Sequence, residues 1–484
     1  MQTSKFALAL ACTAMLVSCG GGGSTPAPSP SPSPIAAAPT PAPSPTTSAC
    51  SYTARAAFVR DTLSEWYLFP ELLDTSLNPA SFTDLALYTD ALVAPARAQR
   101  KDRYFTYLTS IAEENAFYSS GSSAGYGFRL FYDDATRKVL VLESFEGTSA
   151  LSANVDRGSE IIGIGTTASN IQSIASLLAS GGTQAVNNAL GPDDTGITRV
   201  FRVRDQSGVE REVSLSKTDF ELDPVSNRYG AKIISDGGKK VGYINLRTFI
   251  DPANADLRAA FADFRAQGVT ELVIDMRYNG GGALSVSDVL GNLLARNLDD
   301  QIYYSLVLRA SKAAENETYR FDAEPNSIAP TKIAFIGTRS TASASELVIN
   351  GMQPYLGTNM ALIGENTYGK PVGQYAFDRP ECDDRLRAVT FKLANRDGNG
   401  EYFGGLATTV PKSCRAADDV TFPLGDPREN MLKVALDFLA GRSCNAIPNA
   451  TASASTERTG LSQRGMLMPE RPGSVAQREV PGLN

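Results

Sequence analysis

Between residues 240 and 365, four short apolar runs, KVGYINLRTF, ELVIDMR, TKIAFIG and NMALIGE, alternate with the helically spaced stretches NADLRAAFADFRAQG and ASELVINGMQ. No other feature restricts the fold as much. Strands that alternate with helices pack as an α/β layer with the sheet at its centre, and that layer is assigned to residues 219–444. Upstream the pattern changes. Residues 118–218 read as short strands, GYGFRLFYD, KVLVLESF, VFRVRD and REVSLSK, around one helix-like stretch, NIQSIASLLASG. Residues 50–117 place apolar positions at helical spacing, as in ARAAFVRDTLSEWYLF, and form a small helical module. Residues 445–484 are polar without periodicity and are expected to be a disordered tail. The fold class is a multidomain combination of α+β and α/β parts.

Composition limits the chemistry. With 484 residues, 42 % hydrophobic and 20 % charged, the chain is globular and long enough for two or three domains. A formal net charge of −7 offers no electrostatic footprint for nucleic acid. There is no histidine, which excludes a Ser-His-Asp triad and, with no CxxC pair, argues against zinc. No metal or cofactor is expected. Catalysis would fall to Lys, Asp, Glu, Tyr, Ser or Cys.

The amino terminus reads as an address. Lys5, the apolar FALALACTAMLV and the junction LVSC have the build of a secretory signal over residues 1–18. LVSC also resembles a bacterial lipobox, which implies a lipid on Cys19 and, with Gly20 following, placement at the outer membrane facing the periplasm. Residues 19–49 are rich in Pro, Ser, Ala and Gly and form an extended tether. Cys50, Cys382, Cys414 and Cys444 remain, an even number in an oxidising compartment. Four cysteines allow three pairings. The expected one is Cys50 with Cys444, tying the chain ends, and Cys382 with Cys414, closing a local loop.

Three segments in fixed order, DMRYNGGGAL, TASASELVINGMQ and GENTYGKPVGQ, resemble the C-terminal processing (tail-specific) peptidases. GYGF followed by ESFEGTSALSANVDRGSEIIGIG looks like the carboxylate-binding loop and core of a PDZ domain. The resemblance covers roughly residues 55–440 and implies a PDZ-like domain before a crotonase-like (ClpP-like) protease core. It makes Ser343 the nucleophile, Lys370 the general base, Gln374 the third member, and the N–H groups of Gly281 and Ala344 the oxyanion hole. Gly125, Tyr126, Gly127 and Phe128 would receive a peptide C-terminus, so the partners are unfolded or tagged protein chains. Each role has a physical reason. A serine hydroxyl needs a base, and lysine can serve only when burial favours its neutral form. Singly the motifs are bland: SASE is an ordinary helix cap, NGGG a turn, and Ser345 a rival to Ser343. Asp275 and Arg277 are expected to brace the NGGG loop. The competing reading is a catalytically silent PDZ-type binding lipoprotein.

Overall fold

The structure is a computed structural model that describes residues 49–133, 136–448, 464–469 and 471–484. The signal segment, Cys19 and nearly all of the tether lie outside the described residues. The chain opens with a helix, Tyr52–Trp66, whose first turn is capped by Ser51 accepting from the Ala54 N–H. Ala56, Val59 and Leu63 recur at helical spacing on its buried face. They pack with Tyr88 and Leu92 of the helix Leu85–Leu92, and against Leu386, Ala388 and Val389. The last three belong to the long strand Asp384–Asn395, so the helical module shares its core with an antiparallel sheet of the downstream region.

The α/β layer is built on a six-stranded sheet in the order Lys232–Asp236, Lys239–Asn245, Glu271–Asp275, Lys332–Gly337, Met360–Gly364 and Ser413–Arg415. The first pair is antiparallel and all later pairs are parallel. Side chains alternate between faces along a strand. Leu272, Ile274, Ile333 and Phe335 therefore meet Phe261, Leu290 and Leu347 from three helices on one side. Val273, Ala334 and Ile336 meet Met431, Leu432 and Ala435 of the helix Asn430–Leu439 on the other. Each fully buried side chain of this size contributes about 1.5–3 kcal/mol. A five-stranded antiparallel sheet that includes Tyr107–Ser110, Val372–Arg379 and Asp384–Asn395 lies beside this layer.

The middle of the chain forms a separate antiparallel sheet. Phe128–Asp133, Lys138–Ser144, Glu160–Gly165, Thr198–Arg204 and Glu210–Ser216 follow one another in it. Tyr126, Phe128, Leu130, Ile164 and Phe201 fill its core.

Two expectations are corrected. The disulfides join Cys50 to Cys382 and Cys414 to Cys444. Cys382 ends the turn that connects Val372–Arg379 with Asp384–Asn395, beside the start of the first helix. Cys414 lies on the edge strand to which the chain returns after Asn430–Leu439. The tail is also ordered in its last part. Arg464–Met466 pairs with Phe128–Asp133, Val475–Glu479 is a helix, and Val475, Val480 and Leu483 are buried.

Candidate active site

Three loops that leave the carboxyl ends of adjacent parallel strands meet at one place: 276–283 after Glu271–Asp275, 338–343 after Lys332–Gly337, and 365–371 after Met360–Gly364. In open α/β sheets this is where ligands bind. The second loop turns sharply into the helix Ala344–Leu356, and Ser343 stands at the turn with φ +55° and ψ −118°. A non-glycine residue there is strained by about 1–3 kcal/mol, and persists only where its surroundings hold it. They do so here. Thr341 Oγ1 donates to Met276 O at 2.8 Å, and Ala342 N–H donates to Asn279 O at 3.0 Å. Ser345 is fully buried, and its hydroxyl donates to the same Asn279 carbonyl at 3.3 Å. Of the two serines in SASE, Ser343 is the one that lines the cleft.

Ser343 and Lys370 line one cavity of about 270 Å³ with Gln374, Tyr107, Tyr118 and Glu479. Both residues are nearly buried, at 7 % and 8 % exposed. The Lys370 amine lies 5.1 Å from the centre of the Phe105 ring. Burial pushes its pKa below that of an ordinary lysine. Glu479 and Asp102 oppose this shift, while Arg478 and Arg387 add to it. Gln374 Nε2 donates to Phe105 O at 2.7 Å, which engages the amide nitrogen and leaves Oε1 as the acceptor.

Sequence reasoning saw Glu346 only as part of a helix cap. Its buried carboxylate joins the serine and lysine loops. Oε2 accepts from Ser343 N–H at 3.1 Å and from Lys370 N–H at 2.7 Å. Oε1 accepts from Gly369 N–H at 2.7 Å and from Thr367 Oγ1 at 2.6 Å. The burial of Glu346 raises its pKa, while these four donors act the other way.

In the glycine loop the neighbouring N–H groups of Gly281 and Gly280 take different partners. Gly281 N–H donates to Asn279 Oδ1 at 2.9 Å and is thereby engaged. Gly280 N–H instead donates to the Glu479 carbonyl at 2.9 Å, in the cleft. Gly281 matters for the space it leaves, since at φ +118° a Cβ there would stand 2.7 Å from the Ser343 Cβ. Arg277 braces the loop from below. It is fully buried, with Nε at 2.9 Å from Asp275, Nη2 at 2.8 Å from Glu429 and Nη1 at 3.1 Å from Asp418.

In the GYGF segment the N–H groups of Gly127 and Phe128 donate to the backbone oxygen of Asn484, at 2.9 and 3.3 Å. Gly125 supplies room, since a Cβ on it would meet Asn484 at 2.8 Å. Tyr126 is a core residue whose hydroxyl donates to Leu190 O at 2.8 Å.

Residues 240–410 match the model of Peptidase family S41. The chain is 29 % identical over 272 residues to a chloroplastic C-terminal processing peptidase of Tetradesmus obliquus, covering 54 % of each. It is 25 % identical over 264 residues to a carboxyl-terminal-processing protease of Picosynechococcus sp., covering 54 % of this chain and 58 % of that one. The chain thus spans about half the length of these relatives. A solved structure described as an S41 protease from Bacteroides fragilis superposes with a TM-score of 0.60 at 23 % identity, over 79 % of this chain and 97 % of that one, and so shares the fold.

Proposed function

We propose, from the premise that the core belongs to peptidase family S41 and groups with the C-terminal processing peptidases, that this protein is a serine endopeptidase that cleaves protein or peptide chains. Ser343 is its nucleophile and neutral Lys370 its base. Lys370 Nζ takes the Oγ proton as Oγ attacks the scissile carbonyl, and the resulting ammonium returns that proton to the departing amine. Water then attacks the acyl-enzyme with the same amine as base. Gln374 orients the lysine without adding charge. The N–H groups of Gly280 and Ala344, the latter at the start of a helix, meet the developing oxyanion. The observation that carries the reading is the joining of the Ser343 turn and the Lys370 loop by one buried carboxylate, Glu346. Ser343→Ala and Lys370→Ala should each abolish cleavage of an unstructured peptide without unfolding the protein, whereas Ser345→Ala should keep substantial activity. The opposite result for the two serines would move the nucleophile.

The middle domain is read as PDZ-like and the core as crotonase-like (ClpP-like). On this reading substrates are selected through their C-termini. Support comes from the paired N–H groups of Gly127 and Phe128 and from an edge strand, Phe128–Asp133, that accepts another strand. The LVSC junction and the tether support a lipid anchor at Cys19 on the periplasmic side of a bacterial outer membrane. Two disulfides suit that oxidising compartment. A wild-type chain that binds peptide but never reacts with a serine-directed probe would favour the silent binding lipoprotein instead.

A further inference from the structure

The last residues of the chain visit both sites described above. Arg464–Met466 runs antiparallel along the edge of Phe128–Asp133, and Leu467 N–H donates to Leu130 O at 2.9 Å. The chain then leaves that edge and returns to the same residue. Leu130 N–H donates to Gly482 O at 2.8 Å, Leu483 pairs with Arg129, and Asn484 N–H donates to Phe128 O at 3.0 Å. The edge that would receive a peptide strand is therefore filled by this chain from Phe128 to Asp133.

Between its two visits to the edge, the segment enters the cleft. The Glu479 carbonyl takes the Gly280 N–H, and the Glu479 side chain lines the cavity of Ser343 and Lys370, accepting from the Tyr118 hydroxyl at 3.3 Å. Arg478 lies 3.7 Å over the Tyr107 ring and donates to Tyr104 O at 3.0 Å. Gln477 donates to Asp193 at 2.6 Å. Val475, Ala476, Val480 and Leu483 are buried against Phe117, Phe145, Phe220 and Ile250. A second space of about 320 Å³ has Lys370 and Gln374 on the core side and Met468, Pro472 and Pro481 on the other. The segment does not lie as a substrate would. Val480 N–H donates to Ala476 O at 2.8 Å, so the bond after Glu479 sits at the end of a helical turn and not in an extended strand.

We infer that residues 471–484 are a built-in inhibitor of this protein, filling the peptide edge and the catalytic cleft of their own chain until an unfolded polypeptide displaces them by taking the Gly127 and Phe128 N–H groups for its own end. This rests on the protease reading above. A tethered segment competes at an effective concentration of order millimolar, so the occupied state persists against weak ligands and yields to a substrate that engages edge and cleft together. Its carboxylate, Glu479, also favours the charged form of Lys370, the form that cannot act as base.

The test uses the full chain carrying Leu483→Asp, which puts a carboxylate into the apolar socket of Phe145 and Phe220. Its companion is a chain with a specific protease site inserted between residues 448 and 464, cut after folding and freed of the released segment. Both should turn over a fluorogenic unstructured peptide with kcat/KM at least about tenfold above the parent. Adding the synthetic peptide RPGSVAQREVPGLN should return both toward the parent's rate. Equal kcat/KM in all three forms, or no inhibition by the added peptide, overturns the inference and leaves the protease standing. No turnover and no serine-probe labelling in any form brings down the protease reading, and the inhibition with it.

Discussion

Glu346 shows how one side chain can set the geometry of a reaction it does not enter. Its four donors come from two loops, so the separation of Ser343 and Lys370 depends on a carboxylate that accepts from the backbone N–H of each. Glu346→Gln keeps the shape but turns an NH₂ group toward backbone donors. The expected result is a loss in kcat of about a hundredfold with little change in KM, since small misplacements of reacting groups carry costs of that order. Steady-state kinetics on the folded variant checks it. Lys370 yields a pH prediction. The groups facing it are Glu479, Arg478, Arg387 and Asp102, and burial outweighs them in pushing its pKa below the usual lysine value. Only the neutral amine accepts a proton, so kcat/KM should rise with pH to a plateau and its midpoint should lie below the ordinary lysine range. A flat profile from about pH 6 to 10, with chemistry rate-limiting, would speak against lysine as base. The sequence singles out Ser343 within TASASELVINGMQ and Lys370 with Gln374 within GENTYGKPVGQ, and the fold brings the three to one cavity. Glu346 was half legible, since its link to the serine is local and its link to Thr367, Gly369 and Lys370 exists only once the loops converge.

At the scale of elements, the site depends on loops held at the ends of parallel strands, and Arg277 holds the glycine loop. Removing that guanidinium leaves Asp275 and Glu429 buried without their partner. Arg277→Ala should cost about 3–5 kcal/mol of stability, measured by urea denaturation, and should lower activity through the displaced Gly280. The strand and helix pattern of this core could be read from its apolar runs, because both faces of the sheet are covered and the runs are nearly continuous. The disulfides could not be read the same way. Cys414 is about as far along the chain from Cys382 as from Cys444, so spacing does not choose between them, and only the fold brings Cys382, at the tip of a hairpin, beside the first helix and Cys50. The glycine loop shows a related limit. Three consecutive glycines look alike in sequence, and only the Asn279 side chain, bonded to Gly281 N–H, separates them.

For the whole molecule, the last twenty or so residues were the least legible part. Their buried side chains follow no helical or strand period, and the sockets that receive them are built by other parts of the chain. The same groove makes a prediction about substrates. If the Gly127 and Phe128 N–H groups hold a substrate's terminal carboxylate, an amidated peptide loses a charge-assisted pair of bonds. Hydrogen bonds to charged groups contribute about 1.5–3 kcal/mol, so amidation should lower turnover at subsaturating concentration by about tenfold or more. Equal cleavage of acid and amide forms would remove selection by C-termini and leave the serine and lysine chemistry intact.

That chemistry is the central claim, and a fluorophosphonate probe followed by peptide mapping tests it most directly. In both the parent and the Leu483→Asp chain the label should fall on Ser343 alone. It should appear faster in the variant, and it should be lost in Lys370→Ala. Labelling at Ser345, or labelling of Ser343 that persists undiminished without Lys370, would contradict the account.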